Sequence, residues 1–123
     1  MRGLLLKESL TGTKVLDLLH ITKTETWQVS NPSTDQPDTW AALSFETGDD
    51  QANAVAEALS RVLKSRGWYI NAETETHEYV IFPGKVFKYR KGNRVQKEAA
   101  KRYGRSIDIP ENQLDWWEEE TGI

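Results

Sequence analysis

Cysteine is absent from the 123 residues, so no disulfide staples the chain and no thiolate can hold zinc or attack a substrate. A reducing compartment is expected, with the cytoplasm as the location. Histidine is almost as scarce: His20 and His77 are the two present, and neither belongs to an H-x-x-x-H or H-E-x-x-H spacing. Long apolar runs are missing as well. Leu4, Leu5 and Leu6 give way at once to Lys7 and Glu8, too short a run for the core of a signal peptide or for a bilayer span, so no membrane partner is expected. Arg2 stands where an N-myristoylation signal needs glycine, and the proline of Asn31-Pro32-Ser33 disqualifies that triplet as a glycosylation site. FPGKVF at 82–87 has a single glycine and precedes a strand, which is no phosphate loop. No cofactor is expected.

Neither repeats nor low-complexity tracts are present, and one domain over 1–123 is expected. A chain of this size buries roughly two-thirds of its unfolded surface and needs no staple.

The net charge of −3 hides three unequal segments. Residues 1–84 carry seven bases and twelve acids, residues 85–105 nine bases and only Glu98, and residues 106–123 six acids and no base, giving −5, +8 and −6. A basic block runs directly into an acidic tail that holds Trp116 and Trp117.

Periodicity supplies the elements. Residues 3–8 suit a short strand, and TGTKVLDLLH suits a short helix capped by Thr13, with His20 near its negative end. Alternation over ITKTETWQVS predicts a half-exposed strand at 21–30. The two prolines of NPSTDQPD make 31–38 a solvated loop, and Ala41, Leu43 and Phe45 continue into a second strand that pairs with the first. Ala52, Val55, Ala56, Leu59, Val62 and Leu63 recur at helical spacing from Asp50 to Arg66, with Asp49 or Asp50 as N-cap and Gly67 as the left-handed C′ residue. WYINAE, EYVIF and KVFKYR then read as a meander, with a polar turn at TETH and a type II turn or kink at Pro83-Gly84. Val95, Ala99, Ala100 and Tyr103 mark a last helix ending at Gly104, and Pro110 can open one more helical turn. This order predicts an α+β two-layer sandwich, an antiparallel sheet with two main helices, related to the ferredoxin-like arrangement.

The blocks TWAALSFE, RGWYINAE, YVIFPGKVFKYRKG and IPENQLDW resemble those that recur in a family of small uncharacterised bacterial proteins, over most of the chain from Trp27 onward. The resemblance implies a single-domain bacterial protein and carries over no site residues.

Three functions fit these residues. The preferred one is a small non-enzymatic domain that binds a partner, a protein being the first candidate. The second is a nucleic-acid-binding module. Lys85, Lys88 and Arg90 lie on the strand, and Arg94, Lys97, Lys101 and Arg105 form a stripe down the last helix that could track phosphates, while Phe87 and Tyr89 could stack bases if exposed; the preferred reading is that Phe87 and Tyr89 are the buried face of the strand and Lys88 and Arg90 its solvated one. The pI near 5.4 and the lack of an RNA-recognition signature weigh against it. The third is a small hydrolase or transferase built on His77 with Glu75 and Glu78 beside it. Trp116 and Trp117 are candidate binding residues too, although the preferred role of segment 106–123 is a clasp packed on the domain, its glutamates facing the basic helix.

Overall fold

The computed structural model describes residues 1–28, 39–65, 67–109 and 114. Its six strands are β1 (Arg2–Leu6), β2 (His20–Gln28), β3 (Thr39–Glu46), β4 (Ile70–Glu73), β5 (His77–Phe82) and β6 (Lys85–Arg90), with helices α1 (Ala52–Val62) and α2 (Arg94–Ser106). They form one sheet in the order β2-β3-β1-β4-β5-β6, every neighbouring pair antiparallel. The chain is an α+β protein with an antiparallel sheet and two helices.

The connection β3–α1–β4 fixes the topology. Both strands are antiparallel to β1, so they run parallel to each other with β1 between them. This is a split crossover of the kind found in ferredoxin-like sheets. There the slot is filled by the strand after the crossover; here the N-terminal strand fills it, and the strand after β4 goes outward as β5.

Filling that slot requires a close approach. Gly3 is paired with Phe45 on one side and Ala72 on the other, and a Cβ at Gly3 would lie 2.7 Å from the Ala72 Cβ and 2.9 Å from both the Asn71 carbonyl oxygen and the Phe45 ring. The Phe45 ring, 1% exposed, thus rests over a backbone that has no side chain of its own.

Successive strand residues face opposite ways, and β5 exploits both sides. Tyr79 and Ile81 join Leu5, Leu43, Phe45, Ile70, Ala72 and the α1 stripe Val55, Ala56 and Leu59 in one core. Val80 and Phe82 join Tyr89, Ala100, Ile109 and Leu114 in a second. The two helices therefore cover opposite faces of the sheet. The predicted two layers become three where β4, β5 and β6 lie, with α1 above and α2 below. Each large apolar side chain so buried contributes about 1.5–3 kcal/mol.

Several boundaries differ from the periodicity reading, each for a packing reason. TGTKVLDLLH forms only a 3₁₀ turn at Lys14–Leu18, the Thr13 hydroxyl makes no capping bond, and His20 opens β2 opposite Glu46 instead of closing a helix. Helix α1 starts after a 3₁₀ turn at Asp49–Gln51 with no side-chain cap. It stops at Val62 because Leu63 bridges to Leu10, the Val62 carbonyl accepts from Thr11 N at 2.7 Å, and Lys64 N donates to the Ser9 carbonyl at 2.8 Å. Gly67 is left-handed at φ 86° but lies beyond the helix end. Helix α2 is capped by Asn93, whose side chain accepts from Gln96 N at 3.1 Å, and runs through Gly104 to Ser106. Gly104 is there for closeness: a Cβ would lie 2.7 Å from Leu114 Cδ2 and 3.3 Å from the Phe82 ring. Pro83-Gly84 makes the expected tight turn, with Gly84 at φ 73° and its N–H donated to the Ser60 carbonyl of α1 at 3.0 Å. The loop at 31–38, the turn at Pro110 and the clasp through Trp116 and Trp117 lie outside the described residues. No helix among the described residues is long and apolar enough to cross a membrane.

Gly3→Ala is expected to cost about 1–3 kcal/mol, because the added methyl meets backbone and ring atoms that cannot both retreat. Urea melts check this; a variant within half that lower bound of the parent would mean that β1 is not held so closely.

Candidate functional site

At one end of the sheet the central strand brings a cation between two carboxylates. Arg2 on β1 stands in register with Glu46 on β3 and Glu73 on β4, so the three share the face that α2 covers further along. Arg2 Nε donates to Glu73 Oε1 at 3.0 Å. The other oxygen, Glu73 Oε2, is met at 3.0 Å by Lys91 Nζ, and the Lys91 side chain is only 5% exposed. Lys91 arrives there because the chain turns sharply after β6 at Gly92, φ 88°, and because Lys91 N donates to the Thr76 carbonyl at 3.1 Å. Burial alone would raise the Glu73 pKa, but the Lys91 ammonium and the Arg2 guanidinium hold it below the ordinary carboxylate range. Beside this row the Met1 amine donates to the Thr47 carbonyl at 2.6 Å and to Asp49, and that bond lowers the Asp49 pKa.

Two clefts open around these residues. One, of about 330 Å³, lies at the sheet end and is lined by Thr47, Asp49, Thr74 and Glu75. The other, of about 350 Å³, lies on the sheet face over Leu4, Thr22, Ser44 and Asn71. Arg2, Glu46 and Glu73 line both. Asn71 joins the open groove to the interior: its Nδ2 donates to Glu78 Oε2 at 2.9 Å, and Glu78 is fully buried. The floor thus mixes the apolar Leu4 with the hydroxyls of Thr22 and Ser44 and the amide of Asn71, and charges of both signs flank it.

The residues singled out from sequence do not converge here. Lys88 and Arg90 are opposite Tyr79 and His77 on the α1 face. Lys88 Nζ donates to Asn53 Oδ1 at 3.2 Å and lies 5.5 Å from the Tyr79 ring centre, while Tyr79 OH donates to the same Asn53 oxygen at 2.8 Å. Arg94, Lys97, Lys101 and Arg105 belong to α2, which is packed on the other face, with Arg105 paired to Glu98 at 3.2 Å. The sheet therefore splits the basic block into two groups. Lys85 sits 5.4 Å from the Phe87 ring centre. The aromatic side of the base-stacking reading lies inside: Tyr89 is 4% exposed, and Phe87 meets Phe82 edge-on at 5.8 Å and Tyr103 at 5.5 Å. Of the described tryptophans, Trp40 and Trp68 pack together at 5.3 Å in the core and Trp27 is exposed at 37%.

His77 ends a turn, as TETH suggested. Its carbonyl accepts from Thr74 N at 2.9 Å, its N–H donates to Thr74 Oγ1 at 3.1 Å, and its Nδ1 is 2.8 Å from Thr76 Oγ1. Partial burial, then the cations Lys88 and Arg90, push its pKa down. Glu78, the next residue, faces the opposite side of the sheet, so it does not support His77. No group of three His, Asp or Glu that could hold a metal exists among the described residues. Arg2, Asn71 and Glu73 were missed because what unites them is the β1 slot, which no local pattern reveals. Glu78 did carry a signal, since alternation puts it on the face of Val80 and Phe82.

Compared with protein-family models, with curated proteins and with solved structures, the chain matches none.

Glu73→Gln is expected to destabilise the fold at pH 7, because Lys91 is left nearly buried opposite a neutral amide, at a cost on the order of 1–3 kcal/mol. The folded pKa of Glu73 is depressed, so its contribution is full above the ordinary value of 4.5 and is lost as pH falls through the folded value. The stability gap between parent and variant should therefore shrink on acidification. Denaturant melts at neutral pH and in acid measure it, and a gap that stays constant would contradict the pairing.

Proposed function

We propose that this chain is a small non-enzymatic protein-interaction domain of the bacterial cytoplasm that receives a partner segment on the open half of its sheet. The observation that carries the reading is the groove of mixed polarity over β1, β3 and β4, where Arg2 stands between Glu46 and Glu73 beside Leu4, the hydroxyl of Ser44 and the amide of Asn71. Such a surface offers an extended polypeptide hydrogen-bonding groups for its backbone and a guanidinium, 67% exposed, for a carboxylate side chain. Shallow clefts bordered by charges of both signs suit polypeptides better than small ligands, which need a concave pocket that encloses most of their surface. Against the hydrolase reading, His77 is engaged by its own turn and faces away from Glu78 and the groove.

Nucleic-acid binding is the second reading, supported by the exposed Lys85, Lys88, Arg90 and Arg94 at the β6 end. It ranks below the first because Phe87 and Tyr89 are packed under α2, which leaves phosphate contacts without stacking.

Peptides selected by display and titrated into labelled protein test the proposal. Amide shifts should centre on Arg2, Ser44 and Asn71, and Arg2→Glu should weaken the binding of acidic peptides at least about tenfold. Selection that yields no binders, or shifts confined to 85–105 and reproduced by single-stranded RNA, would overturn it in favour of the second reading.

A further inference from the structure

The strand β2 is nine residues long and stands at the end of the strand order, hydrogen-bonded among the described residues to β3 alone. Eight of its nine side chains are exposed. Its outer backbone groups form a template for another strand, and proteins usually blunt such an edge with proline, brevity, bulges or unpaired charge such as a lone lysine. HITKTETWQ has no proline, is rich in β-branched residues, and has one bulge, between Ile21 and Lys23. Its two charges oppose each other across Thr24: Lys23 Nζ and Glu25 Oε1 are 3.4 Å apart on one face.

We propose that two copies of this chain join edge to edge through β2, paired antiparallel about a twofold axis at Thr24. A twofold axis normal to the sheet keeps like faces together, so residue i must oppose a residue of the same parity and the axis must pass through a residue. Centred on Lys23 the strand sets lysine against lysine; centred on Glu25 it sets glutamate against glutamate. Centred on Thr24, Lys23 of each copy faces Glu25 of the other and Thr24 faces Thr24, while Thr22, the extra residue of the bulge, lines the groove and stays out of this ladder. Opposite-charge pairs and threonine pairs are favourable cross-strand neighbours, and like charges are not. A parallel pairing in register is excluded by the same charges. The four groups Lys23 and Glu25, two from each copy, close an alternating ring on the face that carries the groove, so the two sheets become one with both grooves on a single side. The pairing uses the edge and not the groove, so it stands independently of the proposed function.

Sedimentation equilibrium from about 1 μM to about 1 mM protein tests it. The parent should associate reversibly to a dimer. Glu25→Lys alone and Lys23→Glu alone should each dissociate about tenfold more readily, while an equimolar mixture of the two, and the double exchange in one chain, should recover the parent's affinity. Both side chains are exposed, so melting curves of the variants should overlay the parent's. Thr24→Cys should cross-link under mild oxidation, because facing residues lie about 4.5–5.5 Å apart at Cα, within disulfide reach. A parent monomeric over the whole range, single variants that dimerise like the parent, a mixture no tighter than its components, or a dimer in which Thr24→Cys fails to cross-link would each overturn the proposal.

Discussion

Strand β5 is buried on both of its faces, and the arrangement of the rest of the molecule follows from that double burial. Tyr79 and Ile81 commit one side to α1; Val80 and Phe82 commit the other to α2 and Leu114. A strand in this position cannot sit at the edge of the sheet, so β4 and β6 flank it, and the two helices must occupy opposite sides. The helices are spent on that half. Among the described residues, what remains for β2, β3 and β1 is α1 and the N-terminal turns on one face, and on the other a groove floored by Leu4, Ser44 and Asn71.

This division explains the character of the open half. A sheet face left without a helix must present polar groups or aggregate, and the row Glu46, Arg2, Glu73 does so with charges of both signs. An exposed ion pair of this kind is worth only about 0–1 kcal/mol, so Arg2–Glu73 is not what holds the sheet together. Lys91–Glu73 differs because the lysine is nearly buried: that pair closes the β4–β5 turn against the chain leaving β6, and its loss would leave an unmatched charge inside. Stability therefore resides in the apolar layers around β5 and in the Lys91–Glu73 pair, which leaves Arg2 and Glu46 to serve recognition.

Much of the fold was legible because the periods are clean. The α1 stripe, with Leu59 at 0% exposed, and the alternations in AALSFE and KVFKYR each report a local environment that the residues themselves define, whereas ITKTETWQ gives the strand but not its burial, since β2 is exposed along nearly its whole length instead of half-exposed. Pro83-Gly84 is equally local, since Gly84 needs a left-handed backbone. What escaped was non-local. Nothing in RGLLL says that it slots between two strands joined by a helix, and its only trace is Gly3, which looks incidental until Phe45 and Ala72 close in. Gly104 reads as a helix stop but answers to Leu114 and Phe82. The basic block looked like one surface because it is continuous in sequence, whereas the alternation of β6 sends Lys88 and Arg90 to the α1 side while α2 carries its own cations to the other. Glu78 was read with the turn residues around His77, although its parity with Val80 placed it inside.

Residue-resolved amide exchange in dilute solution tests the central claim, that the sheet is sealed around β5 and open at β2. The amides of Tyr79, Val80, Ile81 and Phe82 should be among the slowest in the chain, exchanging only with global unfolding, while the β2 amides that point away from β3 should exchange orders of magnitude faster. Protection of the β2 amides equal to that of β5 in the dilute monomer would contradict it.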